Sequence, residues 1–278
     1  MAEVLQQELT GSGVRLDAFL TVPDHSRIEQ APGVVICHGF PSLLRPSAPS
    51  ESYRLLSERL SDELGCVVLA VSLRGCGTSS GEFSLRGWIA DLRAAVAHLR
   101  RTGVRGVWIV GSTTGGSLAI LVAADDPDVR GVVAIAARAD FDDWAREPRR
   151  FLQHCRDVGV VSDSYPPSVG PWAEQLRDHR PIDHVGRFDG RPLLILHGED
   201  DRQVPAQDAR LLADAHGSAE IRVLSRGDHR LRHDPRAVAL LMGWLVEQTG
   251  ADTAARNPSG PESAPTGGDA AIGVGPAT

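Results

Sequence analysis

Directly after the apolar run Val107-Trp108-Ile109-Val110 stands Gly111-Ser112-Thr113-Thr114-Gly115-Gly116. A buried strand that runs through such a Gly-x-X-x-Gly turn into a helix forces the central residue onto a sharp, strained bend. The outer glycines, Gly111 and Gly115, let strand and helix approach, and the residue they enclose is Thr113. A hydroxyl is a poor nucleophile until a base takes its proton, and a histidine near neutral pKa suits that task. The histidine in turn needs a carboxylate to fix its tautomer and stabilise its charged form. Threonine is an awkward choice for the apex. β-Branched residues disfavour the strained backbone region, and the extra methyl stiffens χ1 and crowds whatever faces it. The familiar threonine nucleophiles use an N-terminal amine, which position 113 lacks. Ser112 lies one residue off the apex and cannot simply take over.

Composition removes several other chemistries. All 29 basic residues are arginine. With no lysine there is no Schiff base, hence no pyridoxal-phosphate chemistry, and no phosphate-binding lysine of a P-loop. The bias reads most simply as codon composition in a GC-rich genome, and the exclusions hold whatever its cause. Cys37, Cys66, Cys76 and Cys155 show no C-x-x-C spacing and sit in or beside apolar segments, which reads as buried reduced thiols. The ten histidines form no ligand pattern, so neither metal nor cofactor is expected. A net charge of −7 leaves no basic footprint for nucleic acid. No apolar run reaches the ~20 residues of a membrane span. Met1 to Thr10 lacks the basic-then-apolar plan of a signal peptide, so a cytoplasmic location is the default expectation.

The elements that must position Thr113 follow from hydrophobic periodicity. With 278 residues, 42% of them hydrophobic, one large domain can bury a sizeable core. Apolar strands are expected at Leu16–Val22, Gly33–Cys37, Cys66–Leu73, Val107–Val110, Gly131–Ala136, Pro192–Leu196 and Glu220–Leu224. Between them fall helical stretches. One spans about Glu51–Leu64 and is closed by Gly65. Another is capped by Ser84 and carries Leu85, Trp88, Ile89, Leu92, Val96 and Leu99 at i, i+3, i+4 and i+7. Helices also read at Thr114–Ala124, at about Ala206–His216, and after Asp234-Pro235 as N-cap and first helical residue. Near-continuous apolar strands separated by helices mean an α/β fold with a mostly parallel sheet covered on both faces. Asp140–Gly190 breaks the rhythm with helical patterning and Trp144, Phe151, Tyr165 and Trp172, and reads as a small helical lid insertion. From Gly250 to Thr278 the composition turns to Gly, Pro, Ala, Ser and Thr, and reads as a disordered tail.

Four pieces, in order, resemble the α/β-hydrolase superfamily, near its small esterase, lysophospholipase and serine-aminopeptidase-like members, over roughly Leu16 to Glu247. His38-Gly39-Phe40-Pro41 follows a central strand as the family's oxyanion loop does, and Gly111–Gly116 is its nucleophile elbow with Thr where Ser is the rule. His197-Gly198-Glu199-Asp200-Asp201-Arg202-Gln203-Val204-Pro205 looks like the acid turn and puts Asp201 at the acid position. Gly227-Asp228-His229 follows the last strand and puts His229 at the base position. The resemblance implies catalytic Thr113, Asp201 and His229, with the nitrogens of Phe40 and Thr114 as the oxyanion hole. It also implies a small-molecule acyl substrate, with Trp144, Phe151 and Trp172 as candidate lining of its pocket.

Alternatives stay open for several of these residues. Asp200, or Asp140, Asp142 and Asp143, could serve as the acid. His38 reads as a tie for the oxyanion loop and not as a proton carrier. Arg226, Arg230, Arg232 and Arg236 could draw in an anionic substrate, or form a solvated face. Two functions follow. The first is hydrolysis of a carboxylic ester or similar acyl bond through Thr113; the second is a non-catalytic chain that binds a small apolar ligand or a partner protein. An aspartyl-intermediate mechanism is opposed by the lack of a carboxylate at position 113. Substrate identity and oligomeric state are not written in one chain.

Overall fold

The computed structural model describes residues 1–11, 13–24, 28–41 and 52–256, the last six of them by backbone alone. Eight strands form one sheet: β1 (Glu3–Gly11), β2 (Val14–Val22), β3 (Gly33–Cys37), β4 (Val67–Val71), β5 (Val107–Ser112), β6 (Val129–Ile135), β7 (Leu193–Gly198) and β8 (Glu220–Leu224). Their order is β1-β2-β4-β3-β5-β6-β7-β8. β2 runs antiparallel to both β1 and β4, and the strands from β4 to β8 are parallel throughout. This is the α/β-hydrolase fold, a mostly parallel mixed sheet with helices on its faces.

Strand β1 escapes sequence periodicity for a physical reason. It is an edge strand, exposed along most of its length, so it needs no alternating apolar side chains. Nine backbone pairs with β2 hold it in register instead. The central strands β3, β4 and β5 are buried at every position, which is why they read as unbroken apolar runs.

Their side chains alternate between two cores. Val35, Leu69 and Ile109 face α2 (Leu85–Arg101) and α3 (Thr114–Asp125); Ile36, Val68 and Val110 face α1 (Arg54–Leu64) and α8 (Pro235–Arg256). Ser84 caps α2 through its side chain, which accepts from Gly87 N–H at 3.1 Å. Helix α8 runs through Gly250 to Arg256, into the stretch whose composition suggested a tail; the rest of that stretch lies outside the described residues. Glu51, the expected start of the first helix, also lies outside them.

Between β6 and β7 the chain is helical, with α4 (Asp142–Arg146), α5 (Pro148–Asp157), α6 (Val169–Asp178) and two 3-10 turns. Helix α7 (Ala206–His216) separates β7 from β8. Among the described residues no helix is long and apolar enough to cross a membrane, and no group of His, Cys, Asp and Glu is placed to hold a metal ion. The four cysteines are free and buried, and burial pushes their thiols up, Cys66 to about 12.

Candidate active site

The turn after β5 has the shape its glycines demand. Thr113 sits at φ 55° and ψ −121°, outside the regions comfortable for a β-branched residue. The surroundings hold it there: Thr113 N–H donates to Ile135 O at 2.7 Å, and Thr113 O accepts from Gly116 N–H at 2.9 Å. A Cβ on Gly115 would collide with the carbonyls of Cys37 and His38, so only glycine lets the start of α3 lie this close to the end of β3. Thr114 is the first residue of α3, where an N–H has no intrahelical partner.

The opposite rim carries the acid and the imidazole. Asp201 and His229 lie on the loops after β7 and β8, and His229 Nδ1–H donates to Asp201 Oδ2 at 2.8 Å. The other oxygen, Oδ1, accepts from Gln203 N–H at 2.8 Å and Val204 N–H at 2.9 Å. Burial pushes the Asp201 carboxyl up, but the His229 hydrogen bond and the two backbone donors outweigh it and hold the group below its ordinary value. Asp201 is therefore a carboxylate at neutral pH, and His229 is left with Nε2 available.

The alternative acids are engaged elsewhere. Asp143 pairs with Arg138 at 2.9 Å, while Asp140 and Asp142 lie 3.6 and 3.4 Å from Arg180. Asp200 is exposed and is tied through its backbone N–H to Gly227 O. Of the arginines near the His229 loop, Arg236 is paired with Asp234, and Arg232 lies over the Tyr53 ring.

The loop after β3 is fixed from two directions. His38 is fully buried: its Nδ1–H donates to Gly39 O at 2.6 Å, and its Nε2 accepts from Leu73 N–H at 2.9 Å. Burial lowers its pKa from 6.5 to about 4, so the ring is neutral and serves as a bracket. Phe40 is caged by rings, with Trp88 of α2 at 4.7 Å, Phe83 just before that helix at 4.9 Å, and Trp144 at 5.4 Å and Phe151 at 5.6 Å from the insertion. Trp144, Phe151 and Trp172 stack in sequence, 4.1 Å and then 5.6 Å between centroids. Phe151 and Trp172 are buried, and Trp172 Nε1–H donates to Phe83 O at 3.1 Å. Trp144 is half-buried beneath the Arg138 guanidinium. Sequence reading placed Trp88 in the buried stripe of its helix and did not single out Phe83, which precedes the Ser84 cap, so neither was marked as a neighbour of this loop.

One expected contact is missing. The Thr113 hydroxyl leans against Gly39, where a Cβ would collide with it, and among the described residues no hydrogen bond joins it to His229.

A hydroxyl at a strand-to-helix apex, with an acid–imidazole pair on the following loops of the same sheet edge, defines a chain built on the α/β-hydrolase plan. Residues 34–240 match the Alpha/beta hydrolase family, and the chain belongs to it. It is 30% identical over 220 residues to human Protein ABHD12B, covering 72% of this chain and 58% of that protein. The chain thus spans just over half the length of that relative. Among solved structures, it superposes on Est1E from Butyrivibrio proteoclasticus with TM-score 0.70 at 19% identity, covering 88% of this chain and 99% of that one. The Pyrococcus furiosus esterase Pf2001 gives TM-score 0.65 at 18% identity, covering 90% and 91%.

Proposed function

We propose that this chain hydrolyses a carboxylic ester or similar acyl bond, with Thr113 as nucleophile, His229 as base and Asp201 as the acid that orients it. The observation that carries this reading is the 2.8 Å bond from His229 to a carboxylate whose other oxygen is already held by two backbone N–H groups. Such a pair fixes the imidazole with its Nε2 free to take a proton. In the reaction, Thr113 Oγ1 attacks the acyl carbon while its proton passes to His229 Nε2. The N–H groups of Phe40 and Thr114 hold the oxyanion. Collapse expels the alcohol, which takes the proton back from His229 and leaves an acyl ester on Thr113. Water, deprotonated by the same histidine, then releases the acid and restores the hydroxyl. Est1E is described with ferulic acid bound, which supports a small acyl substrate here. Trp144, half-buried against Phe40, is the proposed wall for that acyl group, backed by Phe151 and Trp172.

A second reading, a chain that binds a small apolar ligand or a protein without turnover, is favoured by the Thr113 hydroxyl leaning on Gly39 and away from any bond to His229. One experiment separates the two. A fluorophosphonate probe reacts with an activated hydroxyl, and mapping of the adduct should place it on Thr113, with none in Thr113→Ala. No adduct in the wild-type chain, at any pH where it stays folded, selects the second reading.

A further inference from the structure

Behind the acid lies a second imidazole that the mechanism does not use. His197, at the end of β7, is wholly inaccessible to solvent. Its Nε2 lies 3.0 Å from Val204 O and 3.5 Å from Asp201 Oδ2, the oxygen that also receives His229. A carbonyl can only accept, so the ring hydrogen sits on Nε2 and points into the acid turn. The other nitrogen, Nδ1, is buried with no hydrogen-bond partner among the described residues. The protein therefore buries an imidazole with one nitrogen unsatisfied, an arrangement that costs free energy unless the other nitrogen gains something in return.

What Nε2 gains is control of Val204. That residue gives its N–H to Asp201 Oδ1 at 2.9 Å and its carbonyl to His197 at 3.0 Å. One short chain of contacts runs from His197 through Val204 to Asp201 and on to His229. The His197 Nε2–H also points towards Asp201 Oδ2, 3.5 Å away.

We infer that His197 is a positioning residue for the Asp201–His229 pair, holding the acid turn through Val204 O and steadying the carboxylate oxygen that His229 uses. A phenyl ring in its place fills the same volume but offers no donor. A glutamine carries an amide nitrogen that reaches the position of Nε2. This inference rests on the hydrolase reading for its kinetic meaning only, because the contacts themselves can be read without turnover.

The test uses the full chain and its low-field proton NMR spectrum, in which the Nδ1 proton of His229, shared with Asp201, gives a resolved signal. In His197→Phe that signal should vanish, while His197→Gln retains it. With a short-chain aryl ester, His197→Phe should lower kcat about 100-fold at nearly constant KM, the loss associated with a misplacement of about 1 Å, and His197→Gln should recover most of it. An unchanged His229 signal in His197→Phe overturns the inference, and so does equal loss in both variants. Should His197→Phe fail to fold, long-range proton–nitrogen spectra of the wild type decide: a proton on Nε2 agrees, and a proton on Nδ1 overturns. A wild-type chain that turns over no ester but shows these signals sinks the hydrolase reading and leaves the positioning role standing.

Discussion

The two rims of this site are organised by different forces. On one, Asp201 and His229 are joined by directional hydrogen bonds that fix tautomer, orientation and charge before any ligand arrives. On the other, Thr113 and Phe40 are held by backbone hydrogen bonds, close packing and ring contacts, and among the described residues no hydrogen bond orients the Thr113 hydroxyl. On the proposed reading, the Asp201–His229 half is assembled for proton transfer and the Thr113 half for shape. The methyl group of threonine, absent in serine, is the simplest physical source of that mismatch, since it stiffens χ1 at a position already strained at φ 55°.

The sharpest way to break the comparison is to damage the assembled half. Asp201→Asn keeps the volume but offers His229 an amide, which selects the wrong tautomer. A loss of about 10⁴-fold in turnover is expected, by analogy with triad carboxylates in general, and His229→Ala should abolish turnover. Steady-state kinetics on an aryl ester checks both. Near-normal rates in Asp201→Asn would move the acid role to another carboxylate.

The packed half should respond through stability. Phe151 is buried and stacked between Trp144 and Trp172 while its edge meets Phe40. Phe151→Ala should cost roughly 3–5 kcal/mol, the range for large buried aromatics, read as a fall in denaturant midpoint. A shift in acyl-chain preference at unchanged stability would instead make the ring a pocket wall.

How much of this was legible in the chain depends on the kind of force. The parallel core was legible because strands buried on both sides leave continuous apolar runs, as in Val67–Val71. The elbow was legible because Gly115 has no substitute that clears Cys37 O. Strand β1 was not, since its stability comes from backbone pairing with β2, which leaves no mark on side-chain choice. The Phe40 cage was hidden for another reason. Its rings come from the loop before α2, from α2 and from the insertion, and an aromatic on a short helix looks the same whether it faces a pocket or a neighbour. His197 stood in plain sight in the acid turn, but its donor role needed Val204 O to be placed.

His38 gives the two halves a shared pH limit. Its pKa is about 4 when folded and 6.5 when free, so between those values the unfolded chain binds the extra proton. The stability it contributes is complete above pH 6.5 and falls as pH drops towards 4, by on the order of 3 kcal/mol in total. His38→Gln, whose amide oxygen can still accept from Leu73 N–H, should flatten the acid limb of a plot of unfolding free energy against pH. An identical slope in the variant would assign the acid sensitivity to other groups.

The gentlest change addresses the mismatch itself. Thr113→Ser removes one methyl at the elbow, relaxes χ1 and lets the hydroxyl swing from Gly39 towards Nε2 of His229. If the nucleophile half is limited by that methyl, turnover should rise by up to about 100-fold. KM should change little, because the ring packing around Phe40 is untouched. The gain should require the other half: Thr113→Ser combined with Asp201→Asn should return to the level of Asp201→Asn alone, since a freed hydroxyl gains nothing from an imidazole of the wrong tautomer. An equal gain in both backgrounds would mean that the serine reacts without the acid–imidazole pair, and the two rims would then not be halves of one site.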